Sequence, residues 1–222
     1  NFQNPSGVTM SLEKRKQLYA LAKQYGVLIL EDNPYGDLRV AGEPVPSIKS
    51  MDEAGIVIYA GSFSKIFAPG VRVAFTVAPA EIVAKMTVGK QAADVHTPVF
   101  TQMLVDEWMK TTDFEGHIEK IRDIYRRKLN LMCDLIDEQL GDFVRYVRPE
   151  GGMFVWCELP ERVDMMDFCK RAVEKKVAVV PGSAFIVEPD EVVNSIRLNF
   201  TTPSDERIVE GMHILGELSH AL

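Results

Sequence analysis

Cysteine is scarce in this chain, with three in 222 residues: Cys133, Cys157 and Cys169. None forms a CxxC pair. The four histidines, His96, His117, His213 and His220, do not cluster with them or with each other. This odd, scattered set excludes a disulfide framework and a zinc site, and reads as reduced, buried thiols in a cytoplasmic protein. Long apolar runs are absent too. None approaches the ~20 residues of a membrane-spanning helix, and no signal-peptide pattern is visible. Positive charge is in short supply: 25 Lys and Arg against 32 Asp and Glu leave a net charge of −7. That argues against nucleic acid as the partner of this segment, but leaves room for a local positive pocket. Repeats and low-complexity tracts are also missing. What remains is an ordinary globular composition, 46% hydrophobic and 26% charged, on a chain long enough for a real core.

The hydrophobic pattern predicts alternating helices and strands. Residues 11–25 read as a helix with Ser11 as N-cap, Leu12, Leu18, Leu21 and Ala22 as its apolar face, and Gly26 as its stop signal. Val27-Leu28-Ile29-Leu30 reads as a short buried strand that delivers Asp32 just past its end. A Gly- and Pro-rich loop follows. Residues 56–60 form a second buried strand, with Lys65 in the loop beyond it, and residues 71–77 form a third. This order predicts an α/β sheet covered on both faces, and in such sheets ligands collect at strand ends. From residue 81 to 140 the signal is helical. Ile118, Ile121, Tyr125, Leu129, Met132 and Ile136 give one long helix an apolar face, with Arg122, Arg126, Arg127 and Lys128 on a solvated side. After Gly141 come short strands at 144–147, 154–159, 177–180 and 196–200, and helices at 165–175 and 203–218. The expected organisation is an α/β sheet segment over 1–113 and a smaller α+β domain over 114–222.

Lys65 carries the chemistry. It stands in Gly61-Ser62-Phe63-Ser64-Lys65, with Arg72 seven residues on. A lysine amine condenses with an aldehyde. Serine hydroxyls and a forked guanidinium suit a phosphate. A carboxylate such as Asp32, at a strand exit, can keep a pyridine nitrogen protonated, so that the ring acts as an electron sink. This set fits one cofactor, pyridoxal 5'-phosphate (PLP). Taken singly, each residue has a plainer use. Asn4-Pro5-Ser6-Gly7 is also an ordinary turn, Ser62 can cap one, and Arg72 can pair at the surface. Arg197 lies within an apolar strand pattern and needs a partner there, either a ligand carboxylate or an internal acid. Phe63 and Trp156 read as core, and Gly151-Gly152 and Pro181-Gly182 as turns.

These blocks resemble the C-terminal part of the class I/II aminotransferases, the fold-type I PLP enzymes. The match runs in order through Asn1-Phe2-Gln3-Asn4-Pro5-Ser6-Gly7, Glu31-Asp32-Asn33-Pro34-Tyr35, Gly61 to Lys65 with Pro69-Gly70-Val71-Arg72, and Asn194-Ser195-Ile196-Arg197-Leu198-Asn199-Phe200. Its style is similar to the 2-aminoadipate/kynurenine/aromatic branch. The resemblance implies that Lys65 forms the Schiff base and moves the proton at the substrate α-carbon. It implies that Asp32 pairs with the pyridinium nitrogen, that Tyr35 and Asn4 bond the phenolic oxygen, and that Ser62, Ser64 and Arg72 hold the phosphate. It implies too that Arg197 clamps the substrate carboxylate.

The implied reaction is ping-pong transfer of an amine from an amino acid to a 2-oxo acid by a homodimer, with no metal, membrane or nucleic acid involved. The family places a phosphate-binding Gly/Ser loop and a ring-stacking aromatic residue ahead of this segment. The chain is therefore expected to be a piece of a longer enzyme, inactive alone. Two other readings stay open: a PLP-binding effector domain of a winged-helix transcription regulator, and a PLP C–S lyase.

Overall fold

The computed structural model describes residues 1–188 and 193–221. The chain divides into two compact units. The first holds Asn1, Met10–Asp37 and Gly42–Ile121; the second holds Phe2–Thr9, Leu38–Ala41 and Arg122–Leu222.

In the first unit, helix α1 (Leu12–Tyr25) starts where the Ser11 hydroxyl accepts from the Lys14 N–H, and stops at Gly26 in the left-handed region, φ 65°. Strand β1 (Ile29–Asp32) pairs parallel with β2 (Val57–Ser62), with Asp32 opposite Ala60. Strand β3 (Ala74–Val77) returns antiparallel to β2. Helices α2 (Ala80–Ala93) and α3 (Val99–Thr111) follow. This unit's buried clusters include Ala22, Ile29, Ile48 and Val57, and Val71, Val73 and Val105.

The first strand runs from Ile29, not Val27, and only Ile29 within it is buried, while Leu30 is 68% exposed. Of the apolar face expected on α1, only Ala22 is buried. Every residue of β3 is exposed. The apolar runs are those of a sheet covered on both faces, but three strands with these helices bury only part of it among the described residues.

A polar network also ties this unit together. The Arg15 side chain, 3% exposed, donates to Met10 O and Pro46 O and pairs with Glu31 at 3.7 Å. Glu31 in turn accepts from the backbone N–H groups of Ile48 and Lys49, both at 2.8 Å. A buried guanidinium is tolerated because its donors and its charge are matched.

Helix α4 (Phe114–Gln139) begins in the first unit and continues into the second. There follow β4 (Arg145–Tyr146), β5 (Phe154–Glu158), α5 (Met165–Glu174), β6 (Val180–Pro181), β7 (Ser195–Asn199) and α6 (Asp205–His220). The strands form an antiparallel sheet in the order β4-β5-β7-β6. One core unites Leu129, Met132 and Ile136 of α4 with Phe168 of α5, Val155, Ile196 and Phe200 of the sheet region, and Leu215 of α6. Each such side chain contributes about 1.5–3 kcal/mol relative to exposure.

The charged side of α4 is more than a solvated face. Lys128 donates to Thr201 O and Pro203 O at 3.1 and 2.6 Å, and Arg126 donates to Val40 O at 2.9 Å. The three cysteines are unpaired and buried; burial pushes the Cys133 thiol up to about 11 and Cys157 up to about 12, so both are inert. No helix among the described residues is long and apolar enough to cross a membrane.

Candidate active site

Six of the candidate residues lie in the first unit: Asp32, Tyr35, Ser62, Ser64, Lys65 and Arg72. Asp32 is the last residue of β1, and Ser62 the last of β2. Because these strands run parallel, their carboxyl ends point the same way, and the ladder continues one step through Asn33 N–H to Ala60 O at 2.9 Å. The turn after Asp32 is fixed by Asn33, whose amide nitrogen donates to the Tyr59 hydroxyl at 2.9 Å and whose amide oxygen accepts from Asn1 at 3.1 Å. Half-buried Tyr35 sits in that turn.

Beyond β2 the chain tightens. The Ser62 hydroxyl oxygen accepts from the Ser64 N–H at 3.1 Å, and Phe67 N–H closes back on Phe63 O at 2.9 Å. Lys65 lies within this turn, half-buried. The 3-10 segment Pro69–Val71 then places Arg72 in the left-handed region, φ 54°, with its guanidinium donating to Pro69 O at 3.1 Å. Gly61, next to the end of β2, lets the Phe75 ring of β3 lie across it: a Cβ there would stand 2.3 Å from that ring and push it aside.

Two supports of the Lys65 loop escaped the sequence reading. The His117 ring meets Ile66 O at 2.7 Å, and Phe67 stacks on Trp108 at 4.5 Å. His117 carried no chemistry in the sequence reading. Its partner lies 51 residues away in the chain, and no local pattern signals such a pairing.

Asn4 and Arg197 lie in the second unit, and the structure brings them together: Arg197 Nη1 donates to Asn4 Oδ1 at 2.7 Å. The turn holding Asn4 closes through Gln3 N–H to Val8 O at 3.0 Å, with Gly7 at φ 69°. The Arg197 guanidinium also lies over the Phe154 ring at 4.2 Å and the Phe185 ring at 4.9 Å. The sequence required a partner for Arg197. Asn4 supplies one, and the two rings were not anticipated.

The model of aminotransferase class I and II matches residues 1–215. The chain belongs to this family. Aromatic-amino-acid aminotransferase 1 of Thermococcus litoralis is 45% identical over 97% of this chain and 52% of its own length. The crystal structure of Pyrococcus horikoshii kynurenine aminotransferase in complex with PMP superimposes at a TM-score of 0.94, with 42% identity, over 100% of this chain and 55% of that one. At lower identity, 29% over 96% of this chain and 47% of the other, the HTH-type transcriptional regulator NorG of Staphylococcus aureus also matches. The chain thus spans about half the length of the relatives it matches.

Asp32 and Ser62 bring candidate donors to one end of β1 and β2. A carboxylate, an amine, two hydroxyls and a guanidinium follow these strands, and Arg72 has one of its five N–H groups engaged with Pro69 O. This donor chemistry fits PLP.

Proposed function

We propose that this chain carries the catalytic lysine and the small domain of a PLP-dependent aminotransferase that moves amines between amino acids and 2-oxo acids. The observation that supports it most is the placing of Asp32 and Ser62 at two parallel strand ends, with Ser64, Lys65 and Arg72 in the segment beyond, in a chain matched to the family over residues 1–215. Residues 1–113 are assigned to the second half of the large domain and 114–222 to the small domain.

When bound, PLP supplies an aldehyde for amines and a ring that withdraws electrons from the substrate α-carbon. Asp32 would pair with the ring nitrogen and keep it protonated. Ser62, Ser64 and Arg72 would hold the phosphate, with the guanidinium acting as a fork. Tyr35 donates to the phenolic oxygen. Asn4 would do the same through its amide N–H₂, while its Oδ1 accepts from Arg197. Lys65 Nζ takes the proton from the substrate α-carbon. Arg197 binds the substrate α-carboxylate through two parallel hydrogen bonds.

Aromatic amino acids, kynurenine and 2-aminoadipate are the donors the relatives suggest. We place the protein in the cytoplasm, on its three unpaired, buried thiols. We assign it a homodimeric state, supported by exposed apolar side chains on α3 such as Phe100 at 77% and Met103 at 65%.

The NorG match supports a second reading, a PLP-binding effector domain. Incubating the intact protein with PLP, an aromatic amino acid and a 2-oxo acid separates the readings. One new amino acid should form per oxo acid consumed. PLP binding without turnover marks the regulator; in a parallel incubation with an S-substituted cysteine and no oxo acid, release of ammonia, pyruvate and a thiol marks a lyase.

A further inference from the structure

Arg197 sits in β7, opposite Trp156 of β5 and Val180 of β6. Two rings from different elements approach its guanidinium. Phe154 comes from β5 itself, 8% exposed. Phe185 ends the 3-10 segment Gly182–Phe185. That segment lies against β7 because Gly182 has no side chain; a Cβ would stand 2.8 Å from Ser195 O and 2.6 Å from Val193 Cγ1. The Trp156 ring buttresses Phe185 edge-on, with centroids 5.9 Å apart at 81°.

We propose that Phe154 and Phe185 are positioning residues that hold Arg197 as a pre-formed clamp for the substrate α-carboxylate. This rests on the carboxylate-binding reading of Arg197 given above. The face of an aromatic ring is negative and attracts a guanidinium lying over it. An arginine side chain carries about 2 kcal/mol of rotamer entropy. Stacking removes that freedom before a ligand arrives, so less is lost on binding. The rings cover guanidinium face and leave polar contacts to its edge, the geometry a bidentate carboxylate needs. Asn4 Oδ1, taking Nη1 at 2.7 Å, fixes rotation within the plane. Leucine at 185 would fill similar space with no π-face. The expected cost is therefore affinity, with the fold kept.

The test titrates this chain with phenylacetate, a carboxylate on an apolar body, and follows the ¹⁵N indole signal of Trp156, assigned against that of Trp108. Phe185→Leu should weaken binding about five- to tenfold, with an unfolding midpoint like wild type. Phe185→Tyr should restore affinity to within about twofold of wild type. Equal affinity in wild type and Phe185→Leu overturns the proposal and leaves the Arg197 clamp standing. Weakening in both Leu and Tyr variants also overturns it, since tyrosine keeps the stacking face. If wild type binds no phenylacetate, or Arg197→Gln binds as well, the clamp reading itself fails and this inference with it.

Discussion

Lys65→Ala in the intact protein is expected to lower transamination by about 10⁴-fold or more, equivalent to about 5.5 kcal/mol of barrier. Two losses combine. The amine that anchors the cofactor disappears, and so does the group that carries the proton at the substrate α-carbon. The variant should remain folded. Lys65 is half-buried, and among the described residues it makes no hydrogen bond that its removal would orphan. The loop around it is held by other groups: Phe67 on Trp108, His117 on Ile66 O, and the closure of Phe67 N–H on Phe63 O. Added PLP should still bind through Asp32, Ser62, Ser64 and Arg72, more weakly and without a reducible lysine adduct. Transamination at the wild-type rate in this variant would rule out the proposed role of Lys65.

Asp52→Asn should destabilise the protein by about 3 kcal/mol at neutral pH. The Asp52 side chain is fully buried. It accepts from Lys49 Nζ at 2.9 Å and from the backbone N–H groups of Ile56 and Val57 at 3.0 and 3.1 Å. Burial opposes its charge, but Lys49 and the two amides outweigh burial and hold the carboxyl at about 2. The folded pKa is therefore below the unfolded one, and the unfolded chain takes up the proton first. The stabilisation is complete above the ordinary carboxylate range near 4, and is lost as pH falls towards 2. In the Asp52→Asn variant the side-chain amide has one acceptor fewer and leaves the Lys49 ammonium without its anion. A loss of about 3 kcal/mol is large against a typical domain stability of about 5–15 kcal/mol. Urea titrations at pH 7 and pH 3 measure it. The difference between wild type and variant should be large at pH 7 and reduced at pH 3. Equal midpoints at pH 7 would show that this network contributes nothing.

Much of the fold was legible because local signals and tertiary outcome agreed. Ser11 and Gly26 bound α1 as their residue types require. The apolar stripe of α4 predicted the burial of Ile118, Leu129, Met132 and Ile136. Burial failed where it depended on what lies over a strand. Leu30 and β3 have the composition of a covered sheet, yet stand exposed among the described residues. A residue's apolarity reports the environment it suits and cannot name the element that provides it.

The candidate residues were readable because each block packs its chemistry into a few consecutive positions. The pairing of Asn4 with Arg197, and the two rings on that arginine, were not readable. They join residues as far apart as 193 positions. The grouping of Phe2–Thr9 with the second unit was invisible for the same reason.

The most direct measurement is borohydride reduction of the intact protein after PLP binding, followed by peptide mapping. A single pyridoxyl adduct on the peptide carrying Lys65 is the expected result, and its yield should fall when Arg72 is replaced by leucine. An adduct at another lysine, or none above the background of surface lysines, would contradict the assignment of Lys65 as the residue that holds the cofactor.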